Sequence, residues 1–294
     1  MPSETATSVS PLELSGPPDT AEELIVTIEP SRGLFRLDLT SVWNYRELLY
    51  FLVWRDVKVR YKQTLIGAGW AILQPLMTMA IFTVVFGNFL NIPSDGLPYP
   101  VFVYAALLPW TYFAHAVGSS GTSLVGSSNL INKIYFPRLI ILLASVTTPL
   151  VDFLISLIVL AGMMVWFRIS PGWSMLALPF FMMLALFTAL AVGLWLAPLN
   201  VRFRDVGHTI PFLLQFWMYA SPVAYPMSKV PQRWQLLYSL NPMAGVIEGF
   251  RWALLGRHRP SLSALIMSAC IVLVLLITGL IYFKRMERNF ADVI

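Results

Sequence analysis

The feature that most constrains this chain is a set of long intervals without charge. No Asp, Glu, Lys or Arg occurs between Lys62 and Asp95, Asp95 and Lys133, Arg168 and Arg202, or Arg259 and Lys284. A helix needs about 20 apolar residues to cross a bilayer, and each interval is long enough. Only 12% of the 294 residues are charged, against about 25% in an average soluble domain. The pattern predicts an all-α polytopic membrane protein.

Six transmembrane helices are expected, at about 65–90, 100–125, 138–166, 173–199, 209–226 and 261–283, the fifth being the shortest. Six crossings put both termini on one side. With the N-terminus cytoplasmic, fourteen of the twenty Lys and Arg residues fall inside, as the positive-inside rule favours. Five of the six remaining bases crowd into 227–260, which therefore needs its own reading. Residues 1–30 lack the basic start and apolar core of a signal peptide. They are rich in Ser, Pro, Thr and Glu and read as a mostly disordered cytoplasmic tail, with Glu23 to Pro30 as a possible short strand. Residues 31–64 form a cytoplasmic segment with an interfacial helix, 65–283 the six-span membrane domain, and 284–294 a cytoplasmic tail.

The stretch "WRDVKVRYKQTLIGAGWAILQPL", Trp54 to Leu76, turns from basic to uncharged midway. On a helix, Tyr50, Trp54, Val57 and Tyr61 share one face, and Arg55, Lys58 and Lys62 another. Such a helix lies among the headgroups, its basic stems reaching the phosphates. It reads either as an anchor for the first span or as a basic collar, Arg55, Lys58, Arg60, Tyr61 and Lys62, where an anionic lipid diphosphate enters. Gly67, Gly69 and Gln74-Pro75 mark where that span can pack closely or bend.

In segment 229–256, residues Gln232 to Leu240 are too few to span. Asn241 suits an N-cap, Pro242 the first helical position and Gly256 the residue after a helix end. This predicts a helix of about 14 residues, too short to cross. Glu248 and Arg251, three apart, are able to pair on one face. The segment reads either as an amphipathic periplasmic hairpin or as a re-entrant hairpin closing an exit, a gate built on Asn241, Pro242, Glu248 and Arg251.

"SSNLINKIYFPRLI" joins the second and third spans. Ser128 or Asn129 can cap a short helix carrying Asn132, Lys133 and Tyr135 on the membrane surface and followed by Arg138. Such a helix is either a solvated connector or a handle for a partner protein.

Asp152 lies 14 residues past Arg138, near mid-bilayer on that count. An intramembrane ionisable group is a functional candidate by default, but a proton relay needs more such groups than the spans contain. A partnership with Ser, Thr or Asn on a neighbouring helix is the expectation. The aromatics Tyr104, Trp110, Tyr112 and Phe113 in the second span, and Phe212, Phe216 and Tyr219 in the fifth, are either packing anchors or a lumen whose rings stack on sugar faces. The sequence has no phosphate loop of the G-x-x-x-x-G-K-[ST] type, and no H-E-x-x-H or Cys/His cluster for a metal.

Five stretches together resemble the membrane subunit of type-2 ABC exporters for polysaccharide, including the O-antigen exporters. They are "YRELLYFLVWRDVKVRYKQTLIGAGWAILQPL", "LPYPVFVYAALLPWTYF", "NLINKIYFPRLI", "LNVRFRDV" and "SPVAYPMSKVPQRWQLLYSLNPMAGVIEGFRWALLG". The resemblance covers about residues 24–294. It implies a transport permease rather than an enzyme, in the bacterial inner membrane, acting as a homodimer with two copies of a cytoplasmic ATPase subunit. It implies lipid-linked glycan as cargo, membrane lipids as surroundings and no nucleic acid. It implies no cofactor in this chain, with ATP and Mg bound by the ATPase. It makes Asn129 to Arg138 the coupling helix, and 43–62 the interfacial helix near the cytoplasmic entrance. Rival readings are teichoic acid or a small hydrophobic drug as cargo, a membrane-embedded enzyme acting on lipid-linked sugars, and a proton-coupled transporter.

Overall fold

A computed structural model describes residues 39–62, 69–256 and 259–287. The expected tail 1–30, its short strand, and Gly67 lie outside the described residues, as does most of the C-terminal tail. The described residues are helical, with no strand among them. A short α1 (Leu39–Asn44) leads into α2 (Arg46–Lys62). Next come α3 (Gly69–Phe82), which runs on as a π-helix over Thr83–Phe89, and α4 (Tyr99–Gly126). After the four-residue α5 (Ser128–Ile131) come α6 (Leu139–Thr147) and α7 (Leu150–Trp166). The chain continues through α8 (Leu178–Arg202), α9 (Asp205–Tyr219), α10 (Gln232–Ser239), α11 (Pro242–Leu255) and α12 (Leu262–Glu287).

Five helical stretches are long and apolar enough to cross a membrane: Gly69–Phe89, Tyr99–Gly126, Leu139–Trp166, Trp173–Arg202 and Leu262–Glu287. This is a multi-pass membrane protein. The helix α9, where a fifth span was expected, has 15 residues, about 22 Å at 1.5 Å per residue. By itself that falls short of the roughly 30 Å hydrocarbon core.

The helix α4 is the hub. It packs against α3, α6, α7, α8, α9 and α11, and 78% of its apolar window is buried, against 11% for α3 and 17% for α12. Between membrane helices there is little hydrophobic drive, so small residues that let backbones approach decide the contacts. At the α4–α8 contact, a Cβ on Gly193 would lie 2.5 Å from Ser120 Oγ. The third span is broken at Thr148-Pro149, because proline removes a helical donor and crowds the preceding turn; the two halves are α6 and α7.

The segment before the last span forms as its caps dictate. The Asn241 side chain accepts from the Met243 amide at 3.1 Å, and Gly256 closes α11 in the left-handed region at φ 66°, where an L side chain is strained. Of the 14 residues of α11, all but Glu248 and Trp252 are buried, against α4, α8 and α12.

Candidate functional site

At the C-terminal end of α4, the helices α2, α4 and α6 enclose a cavity of about 610 Å³. Arg55, Asp56 and Arg60 line it from α2, with hydroxyls of Ser119, Thr122, Ser123 and Ser127 opposite, Ser145 on α6 and Thr148 at its C-cap, and Leu52, Val59, Ile141 and Ala144 completing the wall. Residues four or five apart on α2 reach the cavity, whereas Lys58 and Lys62 point elsewhere and are exposed. So the five basic-collar candidates separate: Arg55 and Arg60 line the cavity, Lys58 and Lys62 are exposed elsewhere, and Tyr61 turns to Asp152. Tyr50 and Trp54, placed by periodicity on the apolar face of α2, are 72% and 54% exposed, as a face turned to lipid would be.

Asp152 corrects an expectation. Its partners are not Ser, Thr or Asn but Arg60, whose guanidinium forms an ion pair with the carboxylate, and Tyr61, whose phenol donates to the other carboxylate oxygen. Burial and this hydrogen bond hold the Tyr61 phenol well above its ordinary pKa. Ser156, one turn past Asp152, donates to the Ala71 carbonyl in the first turn of α3 at 3.1 Å. Tyr61 near the end of α2 thus meets Asp152, and Ala71 near the start of α3 meets Ser156, about 6 Å further along α7.

Next to this cavity, Ser127 ends α4 and starts α5. Asn129, Asn132, Lys133 and Tyr135 are exposed, Tyr135 at 78%. Buried Ile131 and Phe136 hold the turn against the bundle. Arg138 separates from this group. Its backbone amide donates to Glu287 Oε1 at 3.2 Å, and its guanidinium donates to the Glu287 carbonyl. The end of α12 is thus tied to the start of the third span, 149 residues apart in sequence.

The aromatics separate as well. Tyr104, Trp110, Tyr112 and Phe113 are at most 3% exposed, inside the chain's own core. Phe113 meets Trp217 edge-on at 5.0 Å between ring centres, and Tyr112 meets Phe153 at 6.1 Å. Phe212, Phe216 and Tyr219 on α9 are 61%, 61% and 53% exposed, the two Phe rings 4.6 Å apart.

At the other end of α4, Asn241 is a junction. Besides capping α11 it accepts from Trp217 Nε1 at 2.9 Å and donates to Ser221 Oγ at 2.9 Å. Tyr99 Oη donates to the Ala224 carbonyl at 2.6 Å. Arg251, 7% exposed, donates to the carbonyls of Phe102 (3.3 Å), Tyr225 (3.2 Å) and Val223 (2.6 Å). Its guanidinium carbon also lies 3.7 Å from the Phe102 ring centre. Burial pushes it down to about 9, against the pull of Glu248 and Asp95; it stays charged at neutral pH. Sequence spacing suggested Glu248 as its neighbour but gave no sign of the three carbonyls, which come from two other segments.

The description "ABC-2 type transporter" matches residues 47–255, all but the first and last segments of the structure. The chain belongs to the ABC-2 type transporter family. Among relatives, the O-antigen export system permease protein RfbA of Myxococcus xanthus is 31% identical over 257 residues, 86% of this chain and 97% of that protein. The O-antigen export system permease protein RfbA of Klebsiella pneumoniae is 24% identical over 251 residues, 84% of this chain and 95% of that one. The polysialic acid transport protein KpsM of Escherichia coli is 22% identical over 239 residues, 80% and 91% of the two chains.

Proposed function

We propose that this chain is the membrane-spanning subunit of an ATP-driven exporter that moves a lipid-linked polysaccharide out of the cytoplasm across the bacterial inner membrane. Its near full-length similarity to O-antigen export permeases carries this reading. The chain is a permease rather than an enzyme, and ATP with Mg binds a separate ATPase subunit. Two copies of the permease work with two copies of that ATPase. Six hydroxyl-bearing residues in the cavity wall, set among Leu52, Val59, Ile141 and Ala144, offer a glycan hydrogen-bond partners that a small hydrophobic drug would not use.

The permease crosses the membrane six times, with both termini cytoplasmic. The sixth crossing is α9 with the turn after it. Asn200 Oδ1 accepts from Gly207 and its amide donates to Gly121 near the C-terminal end of α4, while Ala224 meets Tyr99 at the other end. The Arg138–Glu287 tie supports a common side for the start of the third span and the end of α12. The exposed turn with Asn129, Asn132, Lys133 and Tyr135 receives the ATPase, and Arg138 passes its motion to α12. Lys58 and Lys62 attract the anionic lipid at the entrance. Phe212, Phe216 and Tyr219 face the glycan path, and α10–α11 dip into the outer leaflet as its periplasmic gate, closed by Asn241, Pro242, Glu248 and Arg251. Non-helical backbone at such depth survives only where protein or a wet cavity satisfies it, and the carbonyls of Val223 and Tyr225 find Arg251.

Deleting the gene tests this reading. Surface glycan should disappear while lipid-linked glycan accumulates inside, and the chain restored from a plasmid should reverse both. Unchanged surface glycan contradicts it.

A further inference from the structure

The cavity between α2, α4 and α6 has two walls of opposite hydrogen-bonding character. On the α4–α6 wall, Thr122 Oγ1 donates to the Gly118 carbonyl (3.2 Å) and Ser123 Oγ to Ser120 (2.7 Å). Ser145 Oγ donates to Leu142 (2.8 Å) and Thr148 Oγ1 to Ala144 (2.9 Å). A carbonyl has no hydrogen to give, so all four hydroxyl hydrogens are committed to their own helices, leaving these oxygens as acceptors. On the α2 wall, Arg55 and Arg60 offer only donors. Their charges are already balanced, Arg55 by Asp56 at 2.8 Å and Arg60 by Asp152.

This combination selects by chemistry. A phosphate, which only accepts, gains nothing from these four hydroxyls, is left with Ser119, Ser127 and the two guanidinium groups, and meets the carboxylates of Asp56 and Asp152 beside them. A cation meets two guanidinium groups. An apolar molecule would use only Leu52, Val59, Ile141 and Ala144 and would leave the remaining hydroxyl lone pairs and guanidinium donors without the partners water gives them. A sugar hydroxyl donates and accepts at once, and is uncharged. We propose that the cavity binds a neutral sugar residue of the cargo. Its hydroxyls donate to Thr122, Ser123, Ser145 and Thr148 and accept from Arg55 and Arg60. The volume, about 610 Å³, is within the roughly 300–1,000 Å³ of small-molecule sites. Asp152 is then a positioning residue: it holds Arg60 against the cavity without touching the sugar. The assignment rests on the glycan-export reading and adds that the entrance reads the sugar, with the lipid phosphates left to Lys58 and Lys62.

The test uses the permease–ATPase complex in lipid nanodiscs. Saturation-transfer NMR probes free glucose, galactose and mannose at millimolar concentration, and 31P line broadening probes inorganic diphosphate. At least one hexose should give a signal that Ser145→Ala with Thr148→Val weakens by about fivefold for each acceptor lost. Thr148→Ser, which keeps the oxygen, should keep the signal, so a loss confined to the first variant is not misfolding. Diphosphate binding without hexose binding would overturn the proposal. So would a hexose signal indifferent to Ser145 and Thr148, no signal at all, or a signal in the permease alone that vanishes when the ATPase covers the cavity. ATP hydrolysis stimulated by lipid-linked glycan is measured on the same sample. If stimulation persists while the hexose result fails, the export reading stands and the sugar site falls.

Discussion

Asp152→Asn removes the charge from the α2–α7 contact while preserving the side chain's shape. The Asp152 side chain is 12% exposed and its carboxylate serves both Arg60 and Tyr61. A hydrogen bond to a charged group contributes about 1.5–3 kcal/mol. The Arg60 side chain is 37% exposed, so its share is discounted toward the roughly 0–1 kcal/mol of surface pairs. The asparagine oxygen still accepts from Tyr61, at about the 1 kcal/mol of a neutral bond. The net cost expected is therefore about 1–2 kcal/mol. Unfolding in mixed micelles titrated with SDS measures it, within a double-mutant cycle with Arg60→Gln and a second with Tyr61→Phe. The Arg60 cycle should give a coupling of up to about 1 kcal/mol and the Tyr61 cycle about 0.5–1.5 kcal/mol. Additivity within about 0.3–0.5 kcal/mol in both cycles would refute the shared Arg60–Asp152–Tyr61 contact.

Lys133→Glu with Tyr135→Ala should abolish export while ATP hydrolysis and membrane insertion persist; normal export in cells would count against the coupling turn. Arg138 is unsuitable for that test, because its loss also frees the end of α12. Arg251→Gln leaves buried carbonyls unsatisfied at about 1–3 kcal/mol each, so its unfolding midpoint in SDS should fall further than that of Lys229→Gln; equal midpoints contradict the buried anchor. Gly249→Ala places a methyl 2.0 Å from the Phe181 ring, and overpacking of this kind costs about 1–3 kcal/mol. Phe181→Leu in the same chain should recover part of that loss, and no recovery would contradict the packing of α11 on α8.

What the sequence made legible was local. Uncharged runs announced the spans, and Asn241 with Gly256 both ends of α11, because each effect acts within a few residues. Partners brought together by the fold were not legible. Asp152 meets Arg60 across 92 positions, and no spacing rule reaches that far. The aromatic pattern on α4 was real but ambiguous, since a ring buried in a core and a ring lining a lumen obey the same helical period. Only packing, with Phe113 against Trp217 and Phe212 left outside, separates them. Arg251 was found by its charge in an apolar helix, and its carbonyl partners required the structure.

The most direct measurement is to copurify the permease with its ATPase subunit, reconstitute the pair in nanodiscs, and titrate lipid-linked glycan while recording ATP hydrolysis. The account predicts a stable complex whose hydrolysis rises with glycan lipid and not with the bare lipid carrier, and whose stimulation is lost in Lys133→Glu with Tyr135→Ala. A permease that retains no ATPase partner, or hydrolysis indifferent to glycan, would contradict it.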